Sequence, residues 1–220
     1  MPPSGAEPAR RAACYILALM SGWPSNERAL NGLRDDRTAR LVVLAGVVSV
    51  VVLGAPILMA GHGGDSDRFL LLGTGDLLLS EGRYVPSRYQ GYPLAELGIG
   101  GSSELGGHWL AGLVSVALGL ASLGLTYALI RLRTERRMDA VLLVAILAVP
   151  PAFVVAATTS IDYLYGLVPF LVGWYLLERG ASPWTVGLIF GMSAAGRLTY
   201  LPLAILILAL DPNCTLTPRR

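Results

Sequence analysis

The sequence predicts an all-α integral membrane protein, with about five transmembrane helices and an outer loop that carries an interfacial helix. Three observations predict it. Hydrophobic residues make up 54% of the chain and charged residues only 15%, where soluble domains are about a quarter charged. Mean hydropathy is positive, at +0.58. The apolar residues also gather into uncharged runs long enough to cross a hydrocarbon core.

Each element follows in order. Residues 1–40 are a polar segment bearing Arg10, Arg11, Arg28, Arg34, Arg37 and Arg40. Leu41–Ala60 is the first expected span, about 30 Å long at 1.5 Å per residue. Trp109–Ile130 is the second, and Ala140–Thr159, which carries Pro150 and Pro151, the third. Tyr163–Leu177 is a short fourth span bracketed by Asp162 and Glu178. The third and fourth runs read alternatively as one broken hairpin. Trp184–Leu210 is the fifth span, with Arg197 at its midpoint, and residues 211–220 are a tail. The transmembrane domain is therefore 41–210, with a long loop over 61–108.

Arginine placement orients the chain. Arginines crowd residues 10–40 and recur at Arg131, Arg133, Arg136 and Arg137, whereas the loop 61–108 holds more acids than bases. The positive-inside bias then puts the N-terminus in the cytoplasm and the long loop outside, in a multi-pass protein of the cell membrane. Arg10-Arg11 ahead of AACYILALMSG has the outline of a signal peptide, but its apolar core is short and further arginines precede the first span. An interfacial N-terminal helix is the better reading.

Several function classes drop out. A net charge of +2 with no basic stripe and no interleaved aromatics excludes a nucleic-acid partner. Cys14 and Cys214 are too far apart to make a disulfide framework. His62 and His108 have no ligand spacing to another His or Cys, so no metal site is assigned. GIGGSSELGG, residues 98–107, places Ser103 where a third glycine is needed and follows no strand. It reads as a flexible connector.

Within the outer loop, FLLLGTGDLLLSEG has two apolar clusters, too short to span but suited to a helix in the membrane interface. Asp65 and Asp67 stand at its N-terminal end, where a helix dipole favours carboxylates, and a simple capping role accounts for both. Gly82 stands fifteen positions after Asp67, and Tyr84, Pro86 and Tyr92-Pro93-Leu94 follow. This order resembles the glycosyltransferase C superfamily, in the branch of protein O-mannosyltransferases and lipid A aminoarabinose transferases. Arg68 stands where that pattern expects a second acid, and Leu71 where a tyrosine is common. Asp162 in TTSIDYLYG matches an aspartate that opens the fourth span in family members. GMSAAGR places Arg197 where they carry a lysine. The match covers roughly 41–210, the N-terminal half of a typical member, so this stretch alone is expected to insert but to transfer no sugar.

The resemblance implies a sugar donor on polyprenyl phosphate, an acceptor hydroxyl of unknown identity, and transfer outside the cytoplasm. It implies Asp67 as the general base that takes the acceptor proton, with Asp65 orienting the acceptor. Arg88, then Arg83, would stabilise the departing phosphate through the planar guanidinium fork. Tyr92, Asp162 and Arg197 complete the expected substrate-binding set. Arg197, a costly mid-span charge, either binds the donor phosphate or pairs with Asp162, and Asp162 reads equally as a structural residue at a span boundary. No cofactor is required. Some superfamily members use a divalent cation, for which Asp65 and Asp67 would offer oxygens. Two other classes fit the same sequence: a small transporter or channel subunit with Arg197 and Asp162 on a polar path, and a non-catalytic scaffold.

Overall fold

A computed structural model describes residues 44, 48, 52, 54–56, 59, 66–134 and 137–210. Among these residues every regular element is a helix. The helices are α1 (Ser66–Glu81), α2 (Pro93–Arg133), α3 (Arg137–Ala148), α4 (Pro151–Thr158), α5 (Tyr163–Glu178), α6 (Pro183–Gly196) and α7 (Tyr200–Leu210). Most of Leu41–Ala60, Asp65, His62 and the tail lie outside the described residues. Residues 44, 48, 52, 54–56 and 59 are helical, and Gly54 lies against Thr158 at the end of α4.

The short helix expected over FLLLGTGDLLLSEG is α1. It ends where a glycine can end it: Gly82 has φ +65°, its N–H reaches Leu78 O, and the Arg83 N–H returns to Leu77 O. The connector expected over 98–107 is instead helical up to its last two residues. Gly106 and Gly107 leave helical geometry, Gly107 with φ 62°, so α2 is two arms, 93–105 and 108–133. The arms fold back on one another. Gly98 lies under the Tyr165 ring, while Gly119 faces Leu164, the residue just before it in α5. A straight helix would hold those glycines about 31 Å apart, too far for two adjacent side chains to bridge.

Glycine in this connector serves packing as well as turning. A Cβ on Gly100 would sit 2.3 Å from the Cα of Gly75, so α1 and the first arm of α2 cross backbone to backbone. Leu71, Tyr92, Ala95, Ile99 and Tyr165 close the core around that crossing. The second arm is the spine of the rest, touching α3, α4, α5 and α6. Leu123, Phe153, Ala157 and Leu164 pack one side of it; Leu129, Phe170, Leu171, Val186, Phe190 and Ala204 pack another. At the far end Arg133 pairs with Glu178, whose carboxylate also accepts the Trp174 indole N–H at 3.0 Å.

The apolar runs become helices of unequal length. Among the described residues α2 is the one helix long and apolar enough to cross a membrane. The third expected span is broken at Pro150 into α3 and α4, which qualify only together and are bent by 74°. A proline cannot continue a helix without disturbing the preceding turn, and here two stand in line. α5 and α7 are shorter apolar helices. The fifth expected span is not continuous: α6 stops at Gly196, Arg197 is extended (φ −163°, ψ 117°), and α7 starts at Tyr200.

The crossing of α5 and α6 explains where that break falls. Pro169, inside α5, has no N–H to offer the carbonyl of Tyr165 one turn earlier. That carbonyl faces Gly196, whose Cβ, if it had one, would lie 2.4 Å from the oxygen. The neighbouring carbonyl of Gly166 accepts the Ser193 hydroxyl at 2.7 Å. Glycine at 196 lets α6 end against α5, which delivers Arg197 to the first turn of α5.

Gly100→Ala tests the α1–α2 crossing. Alanine is favoured over glycine inside a helix by about 1 kcal/mol, whereas forcing a methyl into a close-packed crossing costs about 1–3 kcal/mol. The expected result is a lower thermal unfolding midpoint, with Gly101→Ala, where nothing lies near the added methyl, leaving it unchanged or raised.

Candidate functional site

Four of the residues singled out in the sequence meet at one place. Arg88, in the loop between α1 and α2, puts Nη2 2.6 Å from Oδ2 of Asp67 in the first turn of α1. Its Nη1 lies 3.7 Å from Oδ2 of Asp162, the residue before α5. Asp162 in turn accepts from Arg197 Nη1 at 2.8 Å on each carboxylate oxygen. The result is an alternating row, Asp67–Arg88–Asp162–Arg197, drawn from α1, the loop, the α4–α5 junction and the α6–α7 break. Two aromatic rings support it: Arg88 lies 5.5 Å from the centroid of Tyr92, and Arg197 3.9 Å from that of Tyr163.

Exposure falls from Asp67 to a minimum at Asp162 and rises slightly at Arg197. The side chain of Asp67 is 53% exposed, that of Arg88 23%, that of Arg197 17% and that of Asp162 1%. Asp162 makes no capping hydrogen bond to α5, so the boundary position is not what it serves. It neutralises Arg197, and of the two roles expected for Arg197 the contact observed is the pairing. Asp67 and Arg88 stand at the open end.

The remaining candidates separate. Tyr92 is buried and forms part of the core beneath Arg88, so it supports the guanidinium from below. Arg83 is exposed just past the end of α1 and joins none of these pairs. Arg68, which replaces the expected second acid, is buried on α1. Asp65 lies outside the described residues. Among the described residues no three His, Cys, Asp or Glu side chains converge as metal ligands.

Sequence reasoning missed Glu96. It sits in the first turn of α2, 1% exposed, and its carboxylate is surrounded by donors. Tyr84 Oη donates to Oε2 at 2.6 Å; the Ser87 N–H and Oγ–H donate to Oε1 at 2.9 and 2.5 Å. The loop from Gly82 to Tyr92 is thereby stapled to α2, with Gly91 (φ +65°) turning back close to the Tyr84 hydroxyl. Burial pushes the Glu96 carboxyl up, but the hydrogen bonds from Ser87 and Tyr84 outweigh it and hold the group below its ordinary value. Burial and the adjacent Glu96 carboxylate together push the Tyr84 phenol up to about 12. The one available signal was an acid one turn into an otherwise apolar segment, YPLAEL.

These shifts set the pH window of the staple. Glu96 has a lowered value when folded, so its contribution is present above the ordinary carboxylate range and is lost as pH falls through that lowered value. Tyr84 has a raised value, so its contribution is complete below pH 10 and is lost as pH rises through about 12. Tyrosinate absorbance, compared between the native chain and Tyr84→Phe, should assign one phenol that ionises near that upper limit.

Breaking the buried pair is a second test. Asp162→Asn leaves the Arg197 guanidinium without its counter-charge, a change that costs about 3–5 kcal/mol when an ion pair is buried. A marked fall in the unfolding midpoint is expected, with partial recovery in Asp162→Asn/Arg197→Gln, where no lone charge remains. Comparison with family models, curated proteins and solved structures finds no match to this chain.

Proposed function

We propose that this chain belongs to a multi-pass membrane glycosyltransferase that moves a sugar from a polyprenyl-phosphate donor to an acceptor hydroxyl outside the cytoplasm. The observation that carries the reading is the row Asp67–Arg88–Asp162–Arg197. Residues picked from four separated segments for the roles of base, phosphate ligand and support lie in one connected array, open at the Asp67–Arg88 end.

The geometry suggests how the roles divide. Arg197 is held by Asp162, so the exchangeable cation is Arg88, which shares its charge between exposed Asp67 and buried Asp162. A lipid phosphate offers more acceptor oxygens than a single carboxylate and competes for the Arg88 fork. As Arg88 turns to the phosphate, the half-exposed Asp67 carboxylate gives up that contact on the side where an acceptor hydroxyl approaches. In transfer, the acceptor oxygen forms its bond to the anomeric carbon while the bond from that carbon to the phosphate oxygen breaks. The acceptor proton passes to Asp67, and the charge growing on the phosphate is met by Arg88. General-base help of this kind is worth about two to four orders of magnitude.

A second reading rests on one specific observation. α6 and α7 form a helix broken at a charged residue, and broken helices line substrate paths in transporters. The two readings part on the carboxylate. For a transferase, Asp67→Asn in the native membrane should cut sugar transfer by about two to four orders of magnitude while retaining donor binding; Asp76→Asn, on the same helix, should leave transfer near normal. Equal losses in both variants would discard the base role.

Orientation is tested separately. Ser80→Cys, in a background without Cys14 and Cys214, should react with an impermeant thiol reagent from outside intact cells. Reaction only after the membrane is opened would reverse the topology and remove the proposed outward-facing site.

A further inference from the structure

We infer that Glu96 is the positioning residue for Arg88: it fixes the loop so that the guanidinium spans Asp67 and Asp162. The inference rests on the reading of Arg88 as the phosphate ligand. Glu96 never touches the row itself. It acts through the backbone of Ser87, the residue before Arg88, whose N–H and hydroxyl both end on one carboxylate oxygen. Its other oxygen takes the Tyr84 hydroxyl, so both limbs of the loop are tied to one buried group.

The arrangement is directional. The Glu96 N–H bonds to Tyr92 O at 2.9 Å, which places Tyr92 one turn below the carboxylate on the same helix end. The Arg88 guanidinium rests over the Tyr92 ring at 5.5 Å. One turn of helix therefore fixes both the chain that leads into Arg88 and the surface on which its charge lies. A carboxylate suits the task better than a neutral group. All three contacts are donors pointing inward, and only an acceptor with several lone pairs meets them without leaving one unpaired. An amide at this position would present two N–H groups to donors along one edge.

The experiment uses the full chain in lipid nanodiscs, with two readouts. The first is the rate at which phenylglyoxal modifies Arg88, read by peptide mass spectrometry with Arg197 as an internal reference. The second is binding of farnesyl phosphate. In Glu96→Gln, Arg88 should react several-fold faster while Arg197 stays slow, and farnesyl phosphate should bind about tenfold more weakly, as when one charge-assisted hydrogen bond is no longer met. Glu96→Gln should add no further loss on top of Arg88→Gln, since the first acts through the second. Tyr84→Phe, which removes one of the three donors and keeps the rest, should shift both readouts the same way by less.

An unchanged Arg88 rate in Glu96→Gln overturns the inference, as does a rate at Arg197 that rises in step. Additive losses in the double variant also overturn it, because Glu96 would then act on binding by another route. If the native chain binds no farnesyl phosphate but the Arg88 rate responds as stated, the positioning role stands and the phosphate reading falls.

Discussion

A fully buried carboxylate governs how this end of the molecule is built. Taking an ion such as Asp162 out of water costs several kcal/mol unless an opposite charge meets it with good geometry. Arg197 must therefore arrive with its guanidinium against the start of α5, and it sits 2.8 Å from both Asp162 oxygens. That requirement ends α6 at Gly196, since a continuing helix would carry residue 197 around its own axis. It also makes glycine necessary at 196, where the backbone runs against the Tyr165 carbonyl that Pro169 leaves without an intrahelical donor. The chain break, the glycine and the proline are three answers to one electrostatic demand.

Part of this was legible in the sequence. The short helix after the first apolar run, with Asp67 at its start and Gly82 at its end, follows from clustered leucines and a terminating glycine. The grouping of Asp67, Arg88, Asp162 and Arg197 came from a resemblance of order and spacing, which holds residues together without saying how they touch. What composition hid were interruptions. Arg197 in the middle of an apolar run read as a span with a charge in it. The better signal was Pro202, which falls in the first turn of α7, where a missing N–H costs nothing.

Glycine misled in the opposite direction. In 98–107 it suggested a loose connector, yet Gly98 and Gly100 are helical, and they are glycine because the Tyr165 ring and the backbone of α1 occupy the space a side chain would need. Only Gly106 and Gly107 break the helix. A glycine chosen for close approach and one chosen for conformational freedom look alike until the neighbour is known. Glu96 was missed for a related reason: an acid near the start of a helix is unremarkable by position, and its three donors are supplied by tertiary structure.

The alternating row has a consequence for how a ligand would arrive. Two guanidinium groups face two carboxylates, so among these four described side chains the charges cancel and the row itself projects little field beyond its own width. On the proposed reading an approaching anion would not be drawn in from a distance; it would be recognised only on contact, by trading places with Asp67 at Arg88. Selection then falls on the dissociation step rather than on encounter, and the added salt that slows most steered association would have little to screen.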